Sequence, residues 1–215
     1  MKHSVLVIGL GRFGTAAAIE LTELGHEVLA IDTSEARVNE LASDVTHAMQ
    51  LDASDEDALQ AVGAGEFEHA IVAISTNTEA SIFATMALKN LGVGNVIAKA
   101  ANALHGAILE RVGADRVAYP EREMGLRVAH TFNIRPVVDY IDVAPGFGIV
   151  KIRPPKSFVG KTLRELDLAN RFNLTPIGIR RGDAVTVNPH RDDRIAESDE
   201  LILMGLDARL EELGE

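Results

Sequence analysis

The stretch Ser4-Val5-Leu6-Val7-Ile8-Gly9-Leu10-Gly11-Arg12-Phe13-Gly14-Thr15-Ala16-Ala17-Ala18-Ile19-Glu20-Leu21 decides the fold. Its first five residues form a continuous apolar run, the pattern of a strand buried on both faces. Its last six are strong helix formers, and Gly25 stands where a helix would stop. Between them lies G-x-G-x-x-G. Three glycines alone are weak evidence, but here they leave a strand and enter a helix, the context that gives them physical meaning. Gly9 permits a tight turn, Gly11 lets a diphosphate approach the backbone, and Gly14 lets helix and strand pack closely. The helix start offers N–H groups and partial positive charge to phosphates. Asp32 ends the next apolar run, 21 residues after Gly11, placed to accept from ribose hydroxyls and to repel a 2′-phosphate.

Outward from this stretch, apolar runs alternate with helical patterns. Strands are expected at Glu27–Asp32, Val45–Leu51, Ala70–Ile74, Asn95–Lys99 and Arg116–Tyr119. Helices are expected through Leu41 with Ser34 as N-cap, over Thr78–Leu91 and over Leu104–Val112. This alternation predicts an α/β fold, a Rossmann-like doubly wound parallel sheet. All seven prolines lie at or after Pro120. Residues 1–133 carry 9 basic and 18 acidic residues, against 12 and 14 in residues 134–215. Asn133-Ile134-Arg135-Pro136 reads as a hinge, because a residue before proline resists helix. The domains are therefore expected at 1–133 and 134–215. The second reads as a small α+β unit, with strands at Val137–Val143, Gly148–Ile152 and Leu201–Met204, a helix capped by Thr162, a hairpin about Arg181-Gly182-Asp183, and a last helix over Asp207–Leu213.

Composition removes several functions. A net charge of −11 argues against a nucleic-acid partner, which would need cations facing phosphates. With no cysteine there is no disulfide, iron–sulfur cluster, thiolate zinc or cysteine nucleophile. No apolar run of about 18 residues is present, so no membrane span is expected, and the N-terminus reads as a strand rather than a signal peptide. Arg12 at the helix mouth suits a terminal phosphate, with an exposed, solvated arginine as the rival reading. Asp52, in Asp52-Ala53-Ser54-Asp55, suits an adenine or ribose edge or else a helix cap. Lys99 ends a strand on the ligand-bearing edge, or is a surface lysine. The histidines are scattered, and Tyr-x-x-x-Lys, H-E-x-x-H and G-x-S-x-G are all absent. A nucleotide site with no proton-handling group beside it fits a sensor better than an enzyme. An NAD(H)-dependent oxidoreductase or redox sensor is the alternative.

Val7 to Gly14, Gly25 to Asp32, Ile71 to Ile74, Ala98-Lys99-Ala100-Ala101-Asn102 and above all Val112 to Gly125 resemble the cytosolic regulatory subunits of bacterial potassium uptake systems of the Ktr and Trk type, the RCK-domain proteins. Gly160 to Leu166 resembles part of their small C-terminal domain. The resemblance covers nearly the whole chain. It implies a Rossmann-like domain that forms a homodimer and assembles into an octameric ring. The ring would sit at the cytoplasmic face of the membrane and gate a potassium-translocating subunit of the KtrB or TrkH kind. ATP and ADP are the implied ligands in the Ktr branch and NAD(H) in the Trk branch. Arg12 would meet the ATP γ-phosphate, Lys99 would lie near the nucleotide, and Glu121 would hold a cation (magnesium, calcium or sodium) across the dimer. The nucleotide site is thus expected at Gly9, Gly11, Arg12, Phe13, Gly14, Asp32, Asp52, Ala53, Ser75 and Lys99, and the metal at Glu121. Asp52 replaces an asparagine of some relatives, and Ser75-Thr76 a smaller Gly-Ala pair. In Leu168 to Phe172 the arginine tied to cyclic di-AMP binding in relatives is displaced.

Overall fold

The computed structural model describes residues 2–133 and 137–214 (at 130, 131, 133, 211 and 214, the backbone only). The chain packs as two units, Met1–Pro120 and Glu121–Glu215.

In the first unit the continuous apolar run becomes strand β1 (Ser4–Ile8), followed by helix α1 (Arg12–Glu23), β2 (Glu27–Asp32), α2 (Glu35–Leu41), β3 (His47–Gln50), α3 (Glu56–Ala61), β4 (His69–Val72), α4 (Thr78–Asn90), β5 (Asn95–Lys99), α5 (Ala103–Arg111) and β6 (Arg116–Ala118). The six strands form one sheet in the order β3-β2-β1-β4-β5-β6, with every neighbouring pair parallel. Both faces are covered, and this is why β1 is apolar from Val5 to Ile8. Leu6 and Ile8 pack in one core with Leu59, Ala84, Leu88 and Leu109 from α3, α4 and α5. Val5 and Val7 pack in the other with Ala18, Val38 and Leu41 from α1 and α2.

Local signals account for the helix ends. Gly25 takes φ 87° and donates to Thr22 O at 2.9 Å, while His26 donates to Leu21 O at 3.0 Å, closing α1. Asn77 and Asn102 cap α4 and α5 through side-chain oxygens. Ser34 occupies the N-cap position of α2 but makes no side-chain cap; Asp32 takes its N–H instead. Strand β3 is shorter than the expected Val45–Leu51, because it lies at the sheet edge and is mostly exposed. The sequence reading contained no α3, whose six residues are too few to show a period.

The second unit takes in α6 (Pro120–Asn133), then β7 (Val137–Ala144), β8 (Phe147–Ile152), α7 (Leu163–Leu166), α8 (Leu168–Phe172), β9 (Thr175–Arg181), β10 (Ala184–Val187), β11 (Asp199–Leu206) and α9 (Asp207–Glu211). Its strands form a second, antiparallel sheet in the order β10-β9-β11-β8-β7. Gly182-Asp183 joins β9 to β10 as a two-residue turn, with Arg181 opposite Ala184. Thr162 and Glu165 cap α7 reciprocally, as a capping box. Leu168 to Phe172 forms helix α8; Arg171 folds back over the Phe172 ring at 5.1 Å and toward Leu166 O.

The division between units falls one helix before the break expected at 133/134. Pro120, the last residue of the first unit, also opens helix α6, as proline does at a first helical position. Arg127 on α6 forms a bidentate pair with Asp139 on β7, through Nε at 2.8 Å and Nη2 at 2.5 Å. The expected hinge at 134–136 lies outside the described residues. Among the described residues no helix is long and apolar enough to cross a membrane.

Candidate nucleotide-binding site

In an open parallel sheet, ligands bind outside the carboxyl ends of the strands, where neighbouring strands are continued in opposite directions. In the first unit that point lies between β1 and β4. The expected residues of this unit converge on that edge. Gly9 to Gly14 leave β1, Asp32 ends β2, Asp52 follows β3, Ser75 follows β4, and Lys99 ends β5.

The three glycines have three different causes. Gly9 takes φ 93° and donates to Ile31 O at 2.8 Å, turning the chain off β1. At Gly14 an added Cβ would run into Gly9 O and meet Ala73 Cβ at 3.0 Å, so this glycine is required by packing. Gly11 is required by neither, since its backbone is extended (φ −78°, ψ −177°) and nothing lies within 4 Å of a would-be Cβ. What glycine preserves there is open space directly in front of α1. That helix begins without a side-chain cap, so its first N–H groups are left for a ligand. The cradle therefore fits a diphosphate.

Asp32 is only 7% exposed. One oxygen accepts from Leu10 N–H at 2.7 Å and lies 3.3 Å from Arg37 Nη1; the other accepts from Ser34 N–H at 2.8 Å. The carboxylate thus ties the glycine loop to the end of β2. With about four lone-pair sites on its two oxygens, it keeps acceptor capacity for a ribose hydroxyl. The tie to Leu10 was not visible in the sequence.

Lys99 is buried, which removes the surface-lysine reading. Its Nζ lies 5.8 Å from the centroid of the half-buried Phe13 ring, within cation–π reach, and so joins the β1 loop to the end of β5. Arg12, the first residue of α1, is exposed at the mouth of the cradle. Asp52 is exposed and accepts from Ser54 N–H at 3.0 Å and Ser54 Oγ–H at 2.7 Å, bonds that hold its carboxyl below the usual range. It caps no helix; Asp55 caps α3. The Ala53 side chain is not on the ligand edge but in the core with Leu59, so only its main chain remains for a ligand. Ser75 is half-buried in the loop after β4. Glu121 is exposed in the first turn of α6, in the second unit, where an acid suits the helix dipole.

One titratable group near this edge escaped the sequence reading. His105 on α5 is 2% exposed. Its Nδ1 accepts from Ala101 N–H at 3.2 Å, and burial pushes its pKa down. The signal was Asn102, whose side chain caps α5 at His105 N–H.

A domain model described as TrkA-N matches residues 5–120, and one described as TrkA-C matches residues 148–215. The chain is a member of the Ktr and Trk family of RCK-domain proteins. It is 40% identical over 205 residues to the Ktr system potassium uptake protein C of Bacillus subtilis, covering 95% of this chain and 93% of that protein. Protein A of the same system and organism is 38% identical over 199 residues, covering 93% and 90%. Among solved structures, the GsuK RCK domain superposes with a TM-score of 0.67 at 19% identity, covering 98% of this chain and 46% of that one. A GsuK channel bound to NAD superposes at 0.68 and 18% identity, covering 98% and 38%. The chain thus spans less than half of those structures, and the likeness shows the shared RCK fold.

Proposed function

We propose that this RCK protein is the nucleotide-sensing regulatory subunit of a potassium uptake system. It works from the cytoplasmic face of the membrane, as a homodimer assembled into an octameric ring, on a potassium-translocating membrane subunit of the KtrB or TrkH kind. The observation that carries the reading is the open cradle at Gly11, between an uncapped helix start and exposed Arg12, in a chain of this family. In this reading the nucleotide is a signal and not a substrate, and the protein is not an enzyme.

ATP and ADP are the opposed ligands. Gly11 and the N–H groups of Arg12, Phe13 and Gly14 hold the diphosphate, Asp32 holds the ribose, and Asp52, the Ala53 main chain and Ser75 border the adenine side. Lys99, backed by Phe13, adds positive charge beside the phosphates. The two ligands differ by one phosphate, so only contacts to that phosphate can favour one state, and a ligand shifts an equilibrium only by its differential affinity for the two forms. Arg12 and a cation held by Glu121 of the neighbouring copy supply those contacts. Magnesium is the first cation to test. One charge-assisted bond of about 1.5–3 kcal/mol matches the usual coupling of about 1–3 kcal/mol.

The experiment is calorimetric titration with ATP, ADP, NADH and NAD⁺, each with and without magnesium. Tight ATP and ADP binding with a magnesium effect on ATP alone is expected, and R12A should narrow the ATP/ADP affinity gap. An unchanged ratio in R12A removes the assigned role of Arg12. Preference for NADH or NAD⁺ would replace the ATP/ADP switch by a Trk-type dinucleotide sensor, or by the oxidoreductase alternative if carbonyl compounds are then reduced.

A further inference from the structure

The opposite, amino edge of the same sheet carries a second cluster of chemistry. Three of the seven histidines, far apart in sequence, meet there because each stands at the start of one of three adjacent strands. His3 precedes β1, His26 precedes β2, and His69 begins β4. Pairing of Val5 with His69 and of Ser4 with Glu27 draws these starts together. The His3 ring stacks on His26 at 5.5 Å and meets His69 edge-on at 5.0 Å. Glu68 lies among them, its Oε2 2.6 Å from His3 Nδ1 and 4.0 Å from His69 Nε2. One ligand atom from each of His3, Glu68 and His69 lies within 4.8 Å of the other two.

We propose that His3, Glu68 and His69 form a metal site for a divalent transition ion of the zinc class, separate from the nucleotide edge. Two imidazoles and one carboxylate are a donor set for zinc and its neighbours rather than for magnesium or calcium. Ligand bonds of about 2.0–2.1 Å in a tetrahedron put neighbouring ligand atoms about 3.3 Å apart. The present spacings of 2.6 and 4.0 Å straddle that value. Displacing the Glu68 oxygen away from His3 and toward His69 brings both spacings toward that value. Glu68 is free to make that move, since its side chain is 56% exposed. The ion takes the place of the proton shared by His3 and Glu68, and water completes the fourth position.

The surroundings already orient the ligands as outer partners of a metal site do. His26 Nδ1 accepts the His3 backbone N–H at 3.2 Å, holding the start of the chain in place. The Asn95 amide lies 3.3 Å from His69 Nδ1. With its oxygen turned inward, Asn95 accepts Nδ1–H and leaves Nε2 of His69 to the ion. Along five residues of β1, at about 3.3 Å each, the site stands roughly 16 Å from the glycine loop.

The test is calorimetric titration of the full chain, free of any histidine tag, with Zn²⁺, and with Mg²⁺ and Ca²⁺ as controls. One zinc ion per chain is expected, with no heat of comparable affinity from the controls. E68Q and H69Q should each weaken zinc by at least about tenfold and N95A by about tenfold, while H47Q and H190Q leave it unchanged. Co²⁺ provides a second readout: its visible absorption should appear with the parent protein and be lost in H69Q, with nucleotide affinity in H69Q certifying the fold. Absence of stoichiometric zinc binding, or binding that survives E68Q and H69Q undiminished, overturns the site.

Discussion

Alanine at Gly11 and alanine at Gly14 should have opposite consequences, although both replace a glycine of one motif. At Gly14 the new Cβ runs into the backbone oxygen of Gly9, with Ala73 Cβ at 3.0 Å behind it. Neither obstacle is the far end of a flexible side chain, so α1 must retreat from β1 by about 1 Å or more. Overpacking of this kind costs about 1–3 kcal/mol, and a backbone obstacle belongs at the upper end. In a domain of this size, about 3 kcal/mol lowers Tm by roughly 6–12 °C. At Gly11 the Cβ meets nothing within 4 Å, and φ −78° with ψ −177° suits alanine. Removing glycine there restricts the unfolded chain and adds about 0.4–1 kcal/mol, or roughly 1–4 °C. The same methyl stands where a diphosphate must approach. Losing one charge-assisted bond to the helix start, about 1.5–3 kcal/mol, weakens binding by roughly 10- to 150-fold. Differential scanning calorimetry and ADP titration on both variants read the two effects separately. The reasoning is refuted if G11A binds ADP as the parent does, or if G14A melts at the parent temperature.

Asp32→Ala should destabilise the first unit by about 1–3 kcal/mol, because it orphans the buried Leu10 N–H, while Asp32→Asn keeps one acceptor and should lose less; equal melting of both variants would show that the loop tie carries no weight. Phe13→Ala should weaken nucleotide binding by removing the ring that backs Lys99, an effect of about 0.5–2 kcal/mol seen by calorimetry and absent if that contact is incidental. His105 is buried with its pKa pushed below 6.5, so below that pH the unfolded chain takes up a proton that the folded chain refuses. Stability should therefore fall as pH drops below about 6.5, and H105N, whose amide oxygen replaces Nδ1, should flatten that slope in urea titrations. In the second unit Arg181 holds the Asp199 carboxyl below the usual range, and Arg127 does the same for Asp139. These carboxylates contribute stability above about pH 4 that is lost as pH falls further, and D199N should shift the acid transition of that unit upward.

The first unit was legible because its inner strands β1, β2, β4 and β5 are largely buried and read as mostly apolar runs alternating with helical patterns. Where one condition failed, the reading failed. Strand β3 is an exposed edge, so its limits blurred. Helix α3 is held by Asp55, with too few residues to show a period. Ser34 has the identity of a cap and stands at the N-cap position, but its side chain makes no cap bond, and residue identity does not report a side-chain rotamer. The expected boundary at 133/134 followed proline and charge, whereas the packing division falls after Pro120, with Arg127 on α6 paired to Asp139 on β7 in the second unit.

The site shows the same limit more sharply. The glycine spacing gave three roles, and the geometry at Gly9, Gly11 and Gly14 assigns them to a turn, an open approach and a close packing, as that spacing implies. Side chains whose partners are distant in sequence were harder. Lys99 reads equally as an edge or a surface lysine from sequence, because the Phe13 ring beside its ammonium stands 86 positions earlier. Asp52 and Ala53 are adjacent, yet one is exposed at the ligand edge and the other is core, a difference made by the turn after β3 that no periodic pattern announces. The histidines reverse the lesson. Scattered through the sequence, they argued against proton chemistry, and only the order of the strands brings His3, His26 and His69 together. A residue at the start of a strand has no sequence neighbour to announce its partners. In a parallel sheet the starts of adjacent strands lie side by side, as do their ends. The amino edge therefore gathers chemistry by the same geometry as the carboxyl edge, without a glycine motif to advertise it.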